Sequence, residues 1–358
     1  MTGLRICLIA SSRFPVREPF AGGLEAHTHA LARLLVERGH RVSVFAAPGS
    51  DEGLGVHPLE VEPFEVSEQA RADVAAPPEM WMQEHHAYLA LMLSLVRAGP
   101  SRFDVIQNNS LHHLPVAMSA AVDVPMVTTL HTPPTPWMES ALKFAAPTSR
   151  FVAVSQNSAR QWHSTVPAQV IRNGVDTRRW PLGPGGERAV WLGRIVPEKA
   201  PHLAIDAARL AGIAVDLAGP VFDRAYFARE IEPRLGSDAR YVGHLDSARL
   251  TQLVGQAAVA IVTPAWEEPY GLVAAEAMAC GTPVAAFARG GLREIVAADA
   301  GALCAPDDLA GLSQAIDRAR RMPRDIVRAR AVRDHSVERM VDGYEALFHR
   351  MAYERRAA

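Results

Sequence analysis

Two carboxylates, Glu268 and Glu276, stand near the start of a predicted helix in the second half of the 358-residue chain. The first turn of a helix has unpaired backbone N–H groups and a partial positive charge, so it can bind a phosphate. An ionised carboxylate accepts hydrogen bonds, and sugar hydroxyls are natural donors to it. Amides that face a diphosphate, with one carboxylate for each of two sugars, describe a nucleotide-sugar site. The alternative is that both glutamates only complement the helix dipole.

A strand, a loop and a helix must position these two carboxylates. The apolar run 257–262 predicts a buried parallel strand. Pro264 and Pro269 exclude regular structure between them, so the chain forms a loop beyond the carboxyl end of that strand. Strong helix formers begin at Gly271, and Gly281 ends the helix before the next short strand. This order places the first glutamate in the loop and the second on the helix.

Two cations, Arg194 and Lys199, follow a predicted strand at 188–192. Cleavage of a sugar-diphosphate bond leaves two negative charges on the departing nucleotide, and a cationic group must stabilise them. Arginine offers forked donors and lysine a compact charge, so both suit a diphosphate. The alternative is that they are two solvated loop cations.

The segment around the glutamates resembles a known family. Glu268 and Glu276 have seven residues between them, and the surrounding sequence contains Tyr-Gly-Leu-Val, Glu-Ala-Met-Ala and Gly-Thr-Pro-Val. This pattern is similar to that of the retaining glycosyltransferases of family four, which have the GT-B fold. Arg194 and Lys199 match the Gly-Arg and Glu-Lys positions that bind the donor phosphates in that family. The resemblance implies an α/β protein with two Rossmann-like, doubly wound parallel-sheet domains that face each other across a crevice.

The resemblance also implies roles for individual residues. Arg194 and Lys199 are expected to stabilise the leaving diphosphate. Glu276 is expected to accept hydrogen bonds from the ribose, and Glu268 to contact and orient the transferred sugar. The backbone amides expected beside the diphosphate belong to Tyr270, Gly271, Leu272 and Val273. The sequence contains no Asp-x-Asp, the metal-binding pattern of GT-A enzymes, so the two cations are expected to act without a metal.

A glycine pair, Gly22 and Gly23, lies in the loop after the first predicted strand at 4–10. Glycines let backbone amides approach a ligand closely, although an ordinary turn explains the pair equally well. Strands and helices alternate at the spacing of a doubly wound sheet, whose ligands bind beyond the carboxyl ends of the strands. The family resemblance implies that the pair faces the donor diphosphate. The pair is not part of a G-x-G-x-x-G dinucleotide fingerprint.

His131 follows the predicted strand 124–130 and precedes a proline-rich loop. A lone histidine is more often structural than catalytic, but this one lies at the edge of the predicted crevice. It resembles the histidine that family members keep near the donor sugar and the reacting centre. Gly243 and His244 follow another predicted strand, and their backbone is expected near the nucleotide base.

The stretch 181–186 is rich in proline and glycine and is the best candidate for a linker. We predict four segments: an acceptor-side Rossmann-like domain at 1–172, a linker at 173–187, a nucleotide-sugar-binding Rossmann-like domain at 188–336 and a C-terminal helix at 337–358. The last helix is expected to cross back to the first domain, as it does in GT-B relatives.

Three further local predictions concern the first domain. Residues 51–80 are expected to form loops with one or two short strands. A helix is predicted at 81–96, with His85 and His86 on its polar side, and 108–110 are predicted to cap a helix.

The composition is that of an ordinary globular protein. Hydrophobic residues make up 49% of the chain and charged residues 21%, and the length favours two domains. A net charge of −2 provides no field that would attract nucleic acid or a membrane. Cys7, Cys280 and Cys304 have no metal-binding or redox spacing, so reduced thiols are expected. The first residues lack a signal-peptide pattern, which predicts a cytoplasmic protein with membrane contact that is at most peripheral.

Together these observations predict a retaining hexosyltransferase. Its donor is a nucleotide-sugar, with UDP favoured by its frequency in the family, and its acceptor is a hydroxyl-bearing glycan, lipid or small metabolite. No cofactor is expected, and the family implies a front-face mechanism in which the leaving phosphate acts as base. Two carboxylates also form the catalytic pair of glycosidases. Here the resemblance assigns one of them, Glu276, to the ribose of the donor, which argues against such a pair. Two alternatives stay open, a GT-B nucleotide-sugar 2-epimerase and a non-catalytic nucleotide-sugar-binding protein.

Overall fold

The computed structural model describes residues 3–59 and 65–357, which contain two parallel β-sheets. The sheet of the first lobe consists of β1 (Arg5–Ile9), β2 (Arg41–Ala46), β3 (Val56–Pro58), β4 (Val105–Asn108), β5 (Met126–Leu130), β6 (Arg150–Ala153) and β7 (Gln169–Val170). The sheet of the second lobe consists of β8 (Ala189–Leu192), β9 (Val215–Ala218), β10 (Ala239–Tyr241), β11 (Val259–Val262), β12 (Val284–Phe287) and β13 (Gly301–Cys304).

Helices cover both faces of each sheet. Those of the first lobe are α1 (Gly23–Glu37), α2 (Glu68–Arg71), α3 (Glu79–Arg102), α4 (His113–Ala117), α5 (Pro136–Leu142) and α6 (Gln156–Trp162). Those that follow are α7 (Pro201–Leu210), α8 (Arg224–Tyr226), α9 (Ser247–Gly255), α10 (Leu272–Ala279), α11 (Leu292–Ile295), α12 (Leu309–Ala319), α13 (Arg324–Asp334) and α14 (Val337–Ala357). No helix in the described part of the chain is both long enough and apolar enough to span a bilayer.

The strand orders are those of doubly wound sheets. The first sheet runs β3-β2-β1-β4-β5-β6-β7, and the second runs β10-β9-β8-β11-β12-β13. The order reverses between β1 and β4 in one lobe and between β8 and β11 in the other. Ligands of such sheets bind at these switch points, beyond the carboxyl ends of the strands. The predicted fold class is therefore confirmed, and the topology locates the site between the lobes.

The last helix, α14, returns to the first lobe, as predicted. Its buried residues Leu347 and Phe348 belong to the same apolar core as Leu4 and Leu31 of the first lobe. The hydroxyl groups of Tyr344 and Thr129 are 2.9 Å apart and form a buried hydrogen bond between α14 and β5.

The two places where the chain passes between the lobes lie side by side. The backbone N–H of Val175 donates to the carbonyl of His335 at 2.8 Å, and Val337 N–H donates to Val175 O at 3.0 Å. Val175 and Ser336 thus form an isolated parallel bridge. The predicted linker packs on the second lobe, where Gly183 N–H donates to Cys280 O at 3.0 Å. The four segment boundaries themselves stay a prediction.

Two local predictions were wrong. The helix α3 extends well beyond 81–96: Gly99 is buried beside Leu95 and Val124, and its carbonyl still accepts a hydrogen bond from Phe103 N–H at 2.8 Å. Asn108 ends β4 and does not cap a helix. Its Oδ1 accepts from Ser110 N–H at 3.1 Å, a local turn that competes with a helix start.

The remaining local predictions have mixed outcomes. His112 is the actual cap of α4, and its Nδ1 accepts from Leu114 N–H at 3.2 Å. The stretch 51–80 contains the expected short strand, β3, and also the short helix α2, which was not predicted. Part of that stretch, 60–64, lies outside the described residues.

The packing of α14 predicts a large effect of Phe348→Ala. Phe348 is fully buried, and removal of a buried phenyl ring costs about 3–5 kcal/mol. We expect a clearly lowered midpoint in urea and thermal unfolding. Tyr353→Ala on the same helix is the control, since Tyr353 is 74% exposed and should change stability by less than about 0.5 kcal/mol. Equal effects of the two variants would contradict this account of α14.

Candidate active site

A cavity of about 430 Å³ lies between the two lobes, at the carboxyl ends of the central strands. The predicted site residues that line it are Gly22, Gly23, His131, Arg194, Lys199, His244, Glu268, Tyr270, Gly271, Leu272, Val273 and Glu276. Gly243 is not part of the lining, and its carbonyl accepts a hydrogen bond from Gly219 N–H at 2.9 Å within the second lobe. Residues from both halves of the sequence are thus brought together in one crevice.

The loop between β11 and α10 carries Glu268 and is tightly restrained. The carbonyl of Glu268 accepts from Gly291 N–H at 2.7 Å. A Cβ atom at Gly290 would lie only 2.1 Å from that same carbonyl oxygen, so only glycine fits there. Gly271 adopts a left-handed conformation with φ of 102°, and α10 begins at the next residue. These restraints set the direction in which the first amides of α10 point.

Glu268 and Lys199 form an ion pair inside the cavity. The Nζ of Lys199 lies 2.5 Å from Glu268 Oε2, and the same oxygen accepts from Trp266 Nε1 at 3.0 Å. The Lys199 ammonium also lies 5.1 Å from the centre of the Trp266 ring, a cation–π contact. Lysine has three donors, so the ammonium can hold this carboxylate and still bind a second anion.

Arg194 lies over an aromatic ring of its own lobe, which in turn stacks on a ring of the first lobe. Its guanidinium lies 5.7 Å from the centre of the Phe222 ring. Phe222 in turn stacks on Phe14 of the first lobe, with ring centroids 5.3 Å apart and planes inclined by 25°. Stacking uses the face of the guanidinium and leaves the N–H groups at its edge available for an anion.

Glu276 lies in the first turns of α10 on the cavity wall. Burial raises its pKa from 4.5 to about 7, because desolvation disfavours the charged form. At neutral pH the carboxyl group is therefore close to half ionised, and hydrogen bonds from a ligand's hydroxyl groups would favour the ionised form.

His131 is half-buried directly after β5, where desolvation and the neighbouring His27 lower its pKa well below 6.5. The ring is therefore neutral. Asn109 Oδ1 accepts from Gln107 Nε2 at 2.8 Å and lies 3.2 Å from His131 Nε2. Since Oδ1 can only accept, Nε2 must carry the proton, and Nδ1 is left as an acceptor.

The sequence reasoning missed two polar residues of this site. Glu25, in the first turn of α1, lines the cavity, and burial raises its pKa while the charge of Arg194 partly opposes that change. Its position two residues after the glycine pair was the available signal. Asn109 orients His131, but its role depends on contacts with Gln107 and Thr28 that the sequence does not reveal.

Further hydrogen bonds join the lobes around the cavity. Ser155 Oγ of the first lobe donates to Pro269 O, in the loop between β11 and α10, at 2.7 Å. The carboxylate of Glu294 in α11 accepts from the backbone N–H groups of Gln156 and Asn157, which begin α6. His244 Nε2 lies 3.3 Å from Phe20 O. The walls of the cavity are therefore tied to each other at several points.

Two Rossmann-like lobes that enclose this set of cations, carboxylates and a helix start define a glycosyltransferase of the GT-B class. The first lobe matches the model described as Glycosyltransferase Family 4 over residues 21–179. The second matches Glycosyl transferases group 1 over residues 176–333. With the relatives described next, these matches show that the chain belongs to glycosyltransferase family 4.

Three similar proteins illustrate the relationship. Glycogen synthase of Mycobacterium tuberculosis is 31% identical over 365 residues, which cover 87% of this chain and 85% of that protein. D-inositol 3-phosphate glycosyltransferase of Frankia alni is 30% identical over 366 residues. This match covers 85% of this chain and 87% of that protein. Anabaena Alr3699/HepE, solved in complex with UDP and glucose, superposes with a TM-score of 0.73 at 20% identity and covers 97% of this chain and 99% of that one.

The raised pKa of Glu276 predicts a pH-dependent effect of Glu276→Gln. The folded protein holds this proton more tightly than the unfolded chain, so ionisation destabilises the fold as the pH rises from about 4.5 to about 7. Glutamine cannot ionise. The variant should match the wild type in melting temperature near pH 4.5 and exceed it above pH 7, by at most ~3 kcal/mol in free energy.

Melting curves of both proteins across this pH range test the prediction. Glu187→Gln is the control, because Glu187 is exposed on the same lobe. A difference between Glu276→Gln and the wild type that is the same at every pH would show that the carboxyl group does not titrate as described.

Proposed function

We propose that this protein is a retaining hexosyltransferase that moves a hexosyl group from a nucleotide-sugar to a hydroxyl of an acceptor. The observation that carries the proposal is the convergence of Arg194, Lys199, Glu268 and Glu276 on one crevice beside the start of α10. The diphosphate, the ribose and the transferred sugar of a donor each find a suitable chemical partner in this set.

The donor's polar groups are matched to specific parts of the site. The first amides of α10, from Leu272 and Val273, suit the diphosphate because they lack partners within the helix. Glu276 suits the two ribose hydroxyls, since one carboxylate can accept from both. Glu268, held by Lys199 and Trp266, suits a hydroxyl of the transferred sugar.

Departure of the diphosphate needs positive charge, and two cations supply it. Arg194 and Lys199 line the same cavity and reach it from the loop after β8. Pre-positioned charges of this kind stabilise the leaving group without reorganisation during the reaction. We therefore propose that the reaction needs no metal ion.

Retention at the anomeric carbon fits a front-face reaction in which the leaving phosphate takes the proton of the acceptor hydroxyl. Such a reaction needs no protein nucleophile. His131 is neutral, and its Nδ1 is a hydrogen-bond acceptor, so it can position a sugar hydroxyl beside the reacting carbon. We assign it a positioning role at that carbon.

UDP is the nucleotide we propose for the donor, in line with its presence in Anabaena Alr3699/HepE. A cytoplasmic location is proposed as well, and the three cysteines are unpaired thiols, as expected for a reducing compartment.

Arg194→Ala should lower kcat by about a hundredfold or more, since loss of one pre-positioned donor to a developing charge has that effect. Initial rates with a radiolabelled donor measure it. Arg229→Ala is the matched control, because Arg229 lies on the surface of the same lobe, outside the cavity lining, and pairs with Glu230. An Arg194→Ala enzyme with unchanged kcat would contradict the assigned role.

A thermal-shift screen of UDP-, ADP- and GDP-sugars in the presence of EDTA tests donor binding directly. A donor at 100 times its Kd should stabilise the protein by about 2.7 kcal/mol, and EDTA should not abolish the shift. The best donor is then incubated without an acceptor and the products are analysed by NMR. Formation of a 2-epimer would identify an epimerase, and a β-linked transfer product from an α-linked donor would exclude retention.

A further inference from the structure

Three side chains stack where the two lobes meet, and we call them the interlobe stack: Phe14 of the first lobe, and Phe222 and Arg194 of the second. The Arg194 guanidinium lies 5.7 Å from the centre of the Phe222 ring, whose centroid is 5.3 Å from that of Phe14. Phe14 and Arg194 line the cavity between the lobes, whereas Phe222 does not. Phe222 therefore contacts the guanidinium without forming part of the wall that a ligand would touch.

The stack is the specific contact that orients the guanidinium of Arg194. Neither a hydrogen bond nor an ion pair joins this group to another residue of the described ranges 3–59 and 65–357, and Glu25 acts on it only through its charge. An arginine side chain samples many rotamers, so a ring that packs on its planar face restricts it strongly. The N–H groups at the edge of the guanidinium stay available for an anion.

The two loops that carry this arginine and its ring partner are joined to each other by their backbones. Ile195 N–H donates to Pro220 O at 2.9 Å. A Cβ atom at Gly219 would lie only 1.8 Å from Gly193 O, so the close approach of the two loops requires glycine. The backbone spacing of the pair is therefore fixed within the second lobe.

Phe14 belongs to a loop that is fastened to the first lobe on both sides of the ring. Ser12 N–H donates to the hydroxyl of Tyr88 at 2.9 Å, and Val16 N–H donates to Ser50 Oγ at 2.8 Å. Phe14 therefore moves with the first lobe. Its ring can stack on the second lobe only when the crevice is as narrow as it is in this structure.

A simpler interpretation is that Phe14 and Phe222 only bury each other and hold the lobes together. Phe222 remains 40% exposed within the stack, so the contact removes only part of its apolar surface from water. The planes of the two rings are inclined by only 25°, and a guanidinium lies over the second ring. Such a row of rings that ends in a cation is better explained as a support for that cation.

We propose that Phe14 is a positioning residue for Arg194: it fixes the Phe222 ring when the lobes close, and that ring holds the guanidinium beside the diphosphate of the donor. The inference rests on the proposed function, in which Arg194 stabilises the leaving diphosphate. A cation that is in place before the reaction stabilises developing charge without reorganisation. Closure of the crevice and assembly of the cationic site thus become one event, and an open enzyme holds its donor without cleaving it.

The test measures the binding of UDP and UMP by isothermal titration, or of the ADP or GDP pair if the thermal-shift screen selects that nucleotide. Phe14→Ala and Phe222→Ala should each raise the Kd for UDP by about three- to tenfold, the effect of one aromatic contact. The Kd for UMP should change by less than about twofold, because UMP lacks the second phosphate. Phe14→Tyr keeps a ring and should bind UDP as the wild type does, whereas Phe14→Leu should not.

A double-mutant cycle shows whether Phe14 acts through Arg194. In the Arg194→Ala background, Phe14→Ala should raise the Kd for UDP no further, because the group that it positions is absent. A further rise by the same factor would show that Phe14 contacts the nucleotide or supports the fold independently, and would overturn the inference. Phe144→Ala is the control, since Phe144 is 65% exposed on the first lobe and lies outside the lining of the cavity.

The same titrations separate this inference from the proposed function. If Arg194→Ala weakens the binding of UDP and Phe14→Ala leaves it unchanged, the inference is overturned and the transferase stands. If the wild type binds none of UDP, ADP and GDP, the proposed function itself is contradicted. Equal losses of UDP and UMP affinity in Phe14→Ala would also overturn the inference, since they would indicate a direct contact with the nucleoside.

Discussion

The backbone between β11 and α10 is held by hydrogen bonds from both lobes, and the proposed donor site depends on this restraint. On one side, Gly291 N–H donates to the carbonyl of Glu268, and on the other, Ser155 Oγ donates to that of Pro269. Between these two points Gly271 makes a left-handed turn that a residue with a side chain would adopt only at a cost. The amides that we propose bind phosphate, the loop carboxylate and the interlobe contact therefore all depend on one short stretch of chain.

Opposite charges lie close together in the cavity. Lys199 is neutralised by Glu268, and Arg194 lies in the field of Glu25. A nucleotide diphosphate would compete with these carboxylates for the cations. This competition lowers the net free energy that the diphosphate gains on binding. The arrangement still has an advantage for transfer, because the cations stay in place instead of being dispersed in solvent, and such preorganisation stabilises charge that develops during a reaction.

Local sequence patterns were sufficient for much of this structure. The predicted strands 124–130 and 188–192 end at the same residues as β5 and β8, because apolar runs, glycine and proline are short-range signals. The site residues nearest the helix start were found for the same reason. Glu25 and Asn109 were not, since their roles depend on packing between distant segments. Asn109 Nδ2, for example, donates to the hydroxyl of Thr28, which lies 81 residues earlier in the chain.

The paired crossings of the chain have a mechanical consequence. Because Val175 is hydrogen-bonded to His335 and Val337, the two crossings form one junction, and we expect any rotation of one lobe against the other to turn about it. Tyr270 contacts this junction, since its hydroxyl lies 3.1 Å from His335 Nδ1. The loop that carries the proposed donor-binding groups therefore lies next to the place where the chain passes between the lobes. A wider crevice would break the hydrogen bond from Ser155 Oγ to Pro269 O, whereas the bond from Gly291 N–H to Glu268 O lies within the second lobe and would remain.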